Sequence, residues 1–247
     1  ISKKNTFNYF LLGSVVLMVL LFVFIVKALY SIKTKNKKIA LQSLRREMNP
    51  HFIFNSLNSV NQFISENKEL EANKYLTSYS NLMRNMMENS NKDFVTLNNE
   101  VEQLKKYLDL EHLRFNEKFD YEITIDDALD GDAVLVPNML LQPHLENAIW
   151  HGLRYKEGKG FLKLDFKLKN NMVKVIVDDN GIGLTKSKEL KTTNQKVHES
   201  RGMTNTRERI SLLNELYKKN ISLKISEKEN PETGTRIEIS FPLIDRI

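Results

Sequence analysis

The sequence predicts an α+β chain: one membrane-spanning helix, a helical hairpin, then a sandwich with helices on one face of a sheet. Three observations predict it. Residues 5–26 carry no charged side chain. Residues 33–115 keep helical spacing, with little glycine and one proline, Pro50. From Tyr121 onward, strand-like alternation and helical stretches interleave. The expected division is 1–32 for the span and its flanks, 33–95 for the hairpin, 96–118 for a connecting helix and 119–247 for the sandwich.

The apolar run from Tyr9 to Val26 is long enough for a bilayer core, which takes roughly 20 helical residues. A signal peptide would have a shorter core followed by small residues. Here lysines follow: Lys27, Lys33, Lys35, Lys37 and Lys38, with Arg45 and Arg46 beyond. They set the C-terminal side in the cytoplasm, with the span in the cytoplasmic (inner) membrane. They also absorb much of the formal charge of +6. No basic-aromatic interleaving stands out, so direct nucleic-acid binding is not expected. The chain has no cysteine, which excludes disulfides and thiolate metal sites. It opens on Ile1 rather than Met, so more protein is expected upstream.

In the helical part, Leu41, Leu44 and Met48, then Ile53, Leu57, Val60 and Ile64, follow one stripe. Glu66-Asn67-Lys68 reads as a turn, and Leu70, Tyr75, Leu76, Leu82, Met83 and Met86 suit a second helix. A lone hairpin of this kind leaves apolar surface, so a homodimeric four-helix bundle is expected. Thr96 suits an N-cap for a helix with Val101, Leu104, Leu108 and Phe115 on one face. Beyond it, Tyr121–Ile125 reads as a strand, and Pro137 as the opening of a helix carrying Leu140, Leu141, Leu145 and Ile149. Phe161–Leu168 and Val173–Val177 read as strands joined at Asn170-Asn171. A helix over Thr204–Lys218 and strands at Ile221–Ser226 and Thr235–Phe241 close the unit.

Four local signals carry chemistry. Val175-Ile176-Val177-Asp178-Asp179-Asn180-Gly181-Ile182-Gly183 runs a strand into a glycine turn. A strand-end carboxylate can meet a purine's amino edge where glycine admits the ligand; a plain Asp-Asn-Gly turn is the other reading. Asn147 offers an amide on an otherwise apolar helix, suited to Mg²⁺ beside phosphates or to an internal hydrogen bond. Ser200-Arg201-Gly202 reads as the opening of a helix, an arrangement that suits phosphate. The polar stretch 184–201 before it would serve as a lid. Gly234-Thr235 turns into the last strand.

In this order the four resemble the GHKL-type ATP-binding domain of histidine kinases, gyrases and heat-shock chaperones. The resemblance implies that Asp179 contacts adenine, with Gly181 and Gly183 in the same box. It implies Mg²⁺ on Asn147, Gly202 at the lid's end, and ATP and Mg²⁺ as cofactors. Thr235 belongs with the nucleotide-binding residues. The family often carries lysine before His151; here it is Trp150, which leaves His151 or Arg154 to meet phosphate.

Met48-Asn49-Pro50-His51-Phe52-Ile53-Phe54-Asn55-Ser56-Leu57-Asn58 resembles the phosphoacceptor box of LytS-like sensor histidine kinases. Leu108–Phe115, Leu145–Gly152 and Met203–Ile210 also match that family. The resemblance implies an ATP-dependent kinase that phosphorylates His51 and passes the group to a response regulator, with a LytTR-type regulator suggested. A lone histidine would read as structural; beside a nucleotide site, a neutral imidazole reads as the nucleophile. Proline inside a helix would bend the chain and expose His51. Glu47 and Asn55 stand four residues to either side, Glu47 as a candidate base and Asn55 as an aid to partner dephosphorylation. The rival readings are a nucleotide-binding pseudokinase scaffold, hinted at by Trp150, and an ATPase machine, which the span and the Asn-Pro-His box oppose.

Overall fold

The computed structural model describes residues 2–46, 49–115, 118–190, 193–229 and 232–244, with side chains at 7–44, 52–115, 118–190, 203–229 and 232–244. Two units are present, one running to Leu41 and one starting at Gln42. The first is the apolar part of helix α1 (Ser2–Arg46). Its most apolar window has a mean hydropathy of 2.9, long and apolar enough to cross a membrane. Its large side chains, Phe7 to Ile32, are exposed, as a lipid-facing helix requires.

The second unit starts with an antiparallel pair, α2 (Asn49–Ser65) and α3 (Glu69–Asn89). The turn between them holds Asn67 at φ 55°, and Lys68 N–H donates to Phe63 O at 2.8 Å. Pro50 is the second described residue of α2, and residues 47 and 48 before it lie outside the described residues. Phe52, Ser56 and Ser59 of α2 and Tyr75 and Leu82 of α3 are buried; Phe52 packs on Tyr79, and Tyr75 Oη donates to Ser56 Oγ at 3.3 Å.

Helix α4 (Leu97–Arg114) follows, and the Thr96 side chain accepts from Asn99 N–H as the sequence predicts. The helix is more deeply buried than its apolar stripe suggests. Glu100, Gln103, Tyr107 and Glu111 are buried along with Leu104 and Leu108. Just before α4 runs β1 (Phe94–Thr96), paired antiparallel with β3 (Leu135–Pro137). Pro137 therefore ends a strand opposite Phe94 and does not open a helix. The following helix, α5, spans Gln142–Asn147 with Pro143 in its first turn. It continues as a π turn, Ala148–Gly152, and a 3₁₀ turn, Leu153–Tyr155.

The main sheet comprises β2 (Phe119–Ile125), β4 (Gly160–Lys169), β5 (Met172–Asp179), β6 (Ser222–Glu227) and β7 (Thr235–Pro242), in the order β2-β4-β5-β7-β6. The β2–β4 pair is parallel and the rest antiparallel. Asn170 and Asn171 both take positive φ, 52° and 59°, as a two-residue hairpin turn demands. Alternation splits the sheet cleanly. Leu162, Leu164, Phe166, Val173, Val175, Val177, Ile237, Ile239 and Phe241 are buried. The other face carries ion pairs such as Lys174–Glu238 at 2.8 Å. Helices α5, α6 (Leu184–Leu190) and α7 (Thr193–Tyr217) complete this unit. The α+β class is as expected, but α7 begins eleven residues before Thr204. Nothing in residues 193–201 breaks a helix, so it propagates through Gly202, which sits inside α7 and not at its start.

Candidate functional site

Strand alternation sends two adjacent aspartates to opposite faces. Asp178 lies on the open face, where Arg236 Nε donates to it at 2.6 Å and Lys228 pairs with it. Asp179 lies on the covered face and is 2% exposed. Its Oδ1 accepts from Gly181 N–H at 2.8 Å, and the Thr235 N–H also donates to it. Burial pushes its pKa up to about 6, against the pull of those two N–H groups and of Lys228.

Glycines make the close approach possible. A Cβ on Gly181 would lie 2.5 Å from the carbonyl carbon of Gly152 and 2.8 Å from Asp179 Oδ1. Gly234 holds φ +123°, and a Cβ there would come within 2.0 Å of Asp179 O. The strand end, the end of the π turn and the start of β7 are thus drawn to one point.

A hollow opens beside that point, about 420 Å³ including its mouth. Asn147, Ala148, His151 and Gly152 form one wall; Leu184 and Ser187 of α6 and Met203 of α7 another. Asp179, Gly183, Ile225, Thr235 and Ile237 complete it from the sheet. An apolar lining with a few convergent polar groups is the usual character of a small-molecule site. The buried carboxylate suits an amino-group donor, and the buried Ser187 hydroxyl has no hydrogen-bond partner among the described residues. The residues present therefore fit a purine nucleotide.

Of the residues singled out in the sequence, Asn147, His151, Asp179, Gly183 and Thr235 line the hollow, and Gly181 forms the close packing behind Asp179. Gly202 precedes Met203 within α7, and its surroundings lie outside the described side chains. Arg154 turns away: its guanidinium stands 5.3 Å from the Trp150 ring centroid, and neither residue lines the hollow. His51 is on α2, with its side chain outside the described set; the next residue, Phe52, packs on Tyr79 and Tyr107 at 5.6 and 5.5 Å. Asn55 is half-buried on the same helix, and Glu47 lies outside the described residues. Sequence reasoning did not single out the walls at Ala148, Met203, Ile225 and Ile237, while Leu184 and Ser187 fall in the stretch it read as a lid. The alternation of β7 carried a signal for Ile237, since Thr235 and Ile237 share a face.

Residues 39–119 match the histidine kinase family. The chain is 32% identical over 206 residues to the sensor histidine kinase YesM of Bacillus subtilis (strain 168), covering 83% of this chain and 34% of that protein. It is 31% identical over 208 residues to the sensor histidine kinase/phosphatase LytS of Staphylococcus aureus (strain MRSA252), covering 83% and 35%. The chain thus spans about a third of the length of these relatives. Among solved structures, the Acinetobacter baumannii histidine kinase AdeS aligns with 80% of this chain and 97% of its own, at 14% identity and a TM-score of 0.42.

Proposed function

We propose that this chain, which belongs to the LytS-like sensor histidine kinase family, is the membrane-anchored autokinase portion of a receptor, using ATP to phosphorylate His51. The observation that carries the nucleotide reading is Asp179, a buried carboxylate at a glycine-lined hollow. Ionised, it would accept from the adenine amino group, while Ala148, Met203, Ile225 and Ile237 would flank the base. Thr235 and the glycines Gly181 and Gly183 would shape the floor, and His151 would approach the phosphates. Asn147 would hold Mg²⁺ together with phosphate oxygens, and the ion when bound neutralises charge on the transferring group.

A neutral imidazole nitrogen of His51 attacks the γ-phosphorus in line. An N–P bond forms as the bond to the β–γ bridging oxygen breaks, ADP leaves, and the ring's proton passes to a base or to water. The phosphoryl group then moves to a response-regulator aspartate; the resemblance suggests a LytTR-type regulator. Asn55, one helical turn beyond His51, would aid dephosphorylation of that partner, a role that unchanged rates in Asn55→Ala would remove. The lysines after the span support a cytoplasmic setting for this machinery. Dimerisation is supported by apolar side chains exposed on the hairpin, Phe54, Leu57 and Ile64 on α2 with Leu70, Leu76 and Met87 on α3.

The test is incubation of the full chain with γ-labelled ATP and Mg²⁺. Label is expected on the wild type and absent from His51→Gln, with nucleotide binding retained in both. Label that survives in His51→Gln removes the site. Binding without label in the wild type would favour the pseudokinase scaffold.

A further inference from the structure

We propose that Trp150 is a positioning residue that ties the end of α4 to the turn carrying Asn147 and His151, so that α4 sets the register of the nucleotide wall. The inference rests on the nucleotide reading above. Its starting point is the two-sidedness of the π turn. Asn147, Ala148, His151 and Gly152 face the hollow, while Trp150 is buried away from it.

On that far side the indole is clasped. The Arg114 guanidinium stands 4.1 Å from its centroid, and Arg154 stands 5.3 Å away. Phe115 meets it edge-on at 5.0 Å and 78°. Arg114 is in the last turn of α4, and Phe115 caps that helix. Cations over an indole face are attracted by its quadrupole, more strongly where water is excluded. The clasp also continues backward. The negative charge of Glu111, one turn earlier on α4, supports the Arg114 cation against burial, with Tyr75 of α3 close enough to affect it. Tyr75 in turn donates to Ser56 of α2. A packed chain therefore runs from the hairpin to the nucleotide wall.

The turn itself carries hydrogen bonds of two registers. Leu153 N–H is shared between Ala148 O, the π register, and Ile149 O, the α register. π turns are rare and cluster at functional sites. Passing from one register to the other changes the winding of residues 148–152 and so re-aims His151 relative to Asn147. Trp150 lies within this segment and is held by α4, so a shift of α4 selects the register. A segment that could close in either register would meet the condition for carrying coupling between sites.

Trp150 is the only tryptophan in the chain, so intrinsic emission reports on it directly. The experiment uses the full chain in micelles, with Mg²⁺-ADP binding measured independently by equilibrium dialysis of labelled nucleotide. In the wild type, emission should change with the same midpoint as binding. Arg114→Gln should weaken binding about three- to tenfold and uncouple the emission change, with Arg114→Lys recovering most of the loss. Arg154 is exposed, so Arg154→Gln should give a smaller change in the same direction even if Arg114→Gln fails to fold. The joint is overturned if the wild type binds nucleotide while its emission stays constant. It is equally overturned if the folded arginine variants all bind and respond as the wild type does. Absence of binding in the wild-type dialysis would instead overturn the nucleotide reading, and the joint with it.

Discussion

The hairpin and the sheet domain treat apolar side chains in opposite ways. On α2 and α3, Phe54, Leu57, Ile64, Leu70, Leu76 and Met87 are 44–80% exposed. In the sheet domain, Leu162, Leu164, Val175 and Ile239 are fully buried, and the apolar residues that remain open are scattered singly, such as Ile125, Tyr155 and Phe161. A sheet folded under helices closes its own core and keeps a hollow for a small ligand. A two-helix hairpin has two surfaces to cover. Here one is covered by α4, through Phe52 against Tyr107, and the other stays open. The difference matches the roles proposed for them: one half closes its own core around a hollow, the other leaves an apolar face open.

The largest effect is expected in the sheet domain, at Asp179. Removing a charged, buried hydrogen-bond acceptor costs on the order of 1.5–3 kcal/mol, or roughly 10- to 150-fold in affinity. Asp179→Asn should therefore lose nucleotide binding by about that factor, measured by dialysis, with the hairpin's oligomeric state unchanged. The wild type should also show a pH signature. Its carboxyl titrates at about 6, and only the ionised form accepts from an amino group, so affinity should fall as pH drops below that value. Asp179→Asn should lack that fall. A wild-type affinity flat from pH 8 to 5 would separate Asp179 from the ligand.

The hairpin should respond in reverse. Leu57→Glu combined with Leu76→Glu places charge on the open stripe of both helices. Sedimentation in micelles should show dimers giving way to monomers, the dissociation constant rising roughly tenfold or more for the lost apolar burial. Nucleotide affinity should hold, because neither residue lines the hollow. A wild type that is monomeric at every concentration would leave the stripe unexplained by self-association.

How much of this was legible in the sequence depends on the length of each pattern. Long alternations in β4, β5 and β7 needed no other information, because period two over eight or more residues is hard to mistake. Asn170-Asn171 and the Thr96 cap were legible because turn and cap chemistry are local. The ribbon of β1 and β3 was not, since three residues hold no period, and Pro137 was misread for the same reason. Arg154 could not be kept from the phosphate list by sequence alone: its guanidinium is drawn to an indole whose side of the turn depends on the π register. The start of α7 was misplaced because Gly202 looks like a boundary, yet one glycine inside a helix costs only about 1 kcal/mol.

Helix α4 lies between the two halves and hides a polar line that its apolar spacing does not announce. Glu100 is fully buried, its pKa pushed up to about 7 by burial against the opposing pull of Met139 N–H and Arg209. His144 is equally buried, its pKa pushed down to about 4 by burial and by the same Arg209. The two contribute with opposite sign. A raised carboxyl favours the folded state at low pH and loses that contribution as pH rises from about 4.5 to 7. A depressed imidazole favours it at high pH and loses that as pH falls from 6.5 to about 4. The His144 slope thus opposes the Glu100 slope across pH 4.5–6.5, while Asp179, also raised to about 6, adds to the Glu100 side. Relative to the wild type, Glu100→Gln should become more acid-sensitive in that window, and His144→Gln should gain stability as pH falls through it, each by on the order of 1 kcal/mol after relaxation. Urea midpoints at pH 4.5, 5.5 and 6.5 would measure both. If both variants shift in the same direction with pH, Glu100 of α4 and His144 of α5 titrate as one coupled group rather than two.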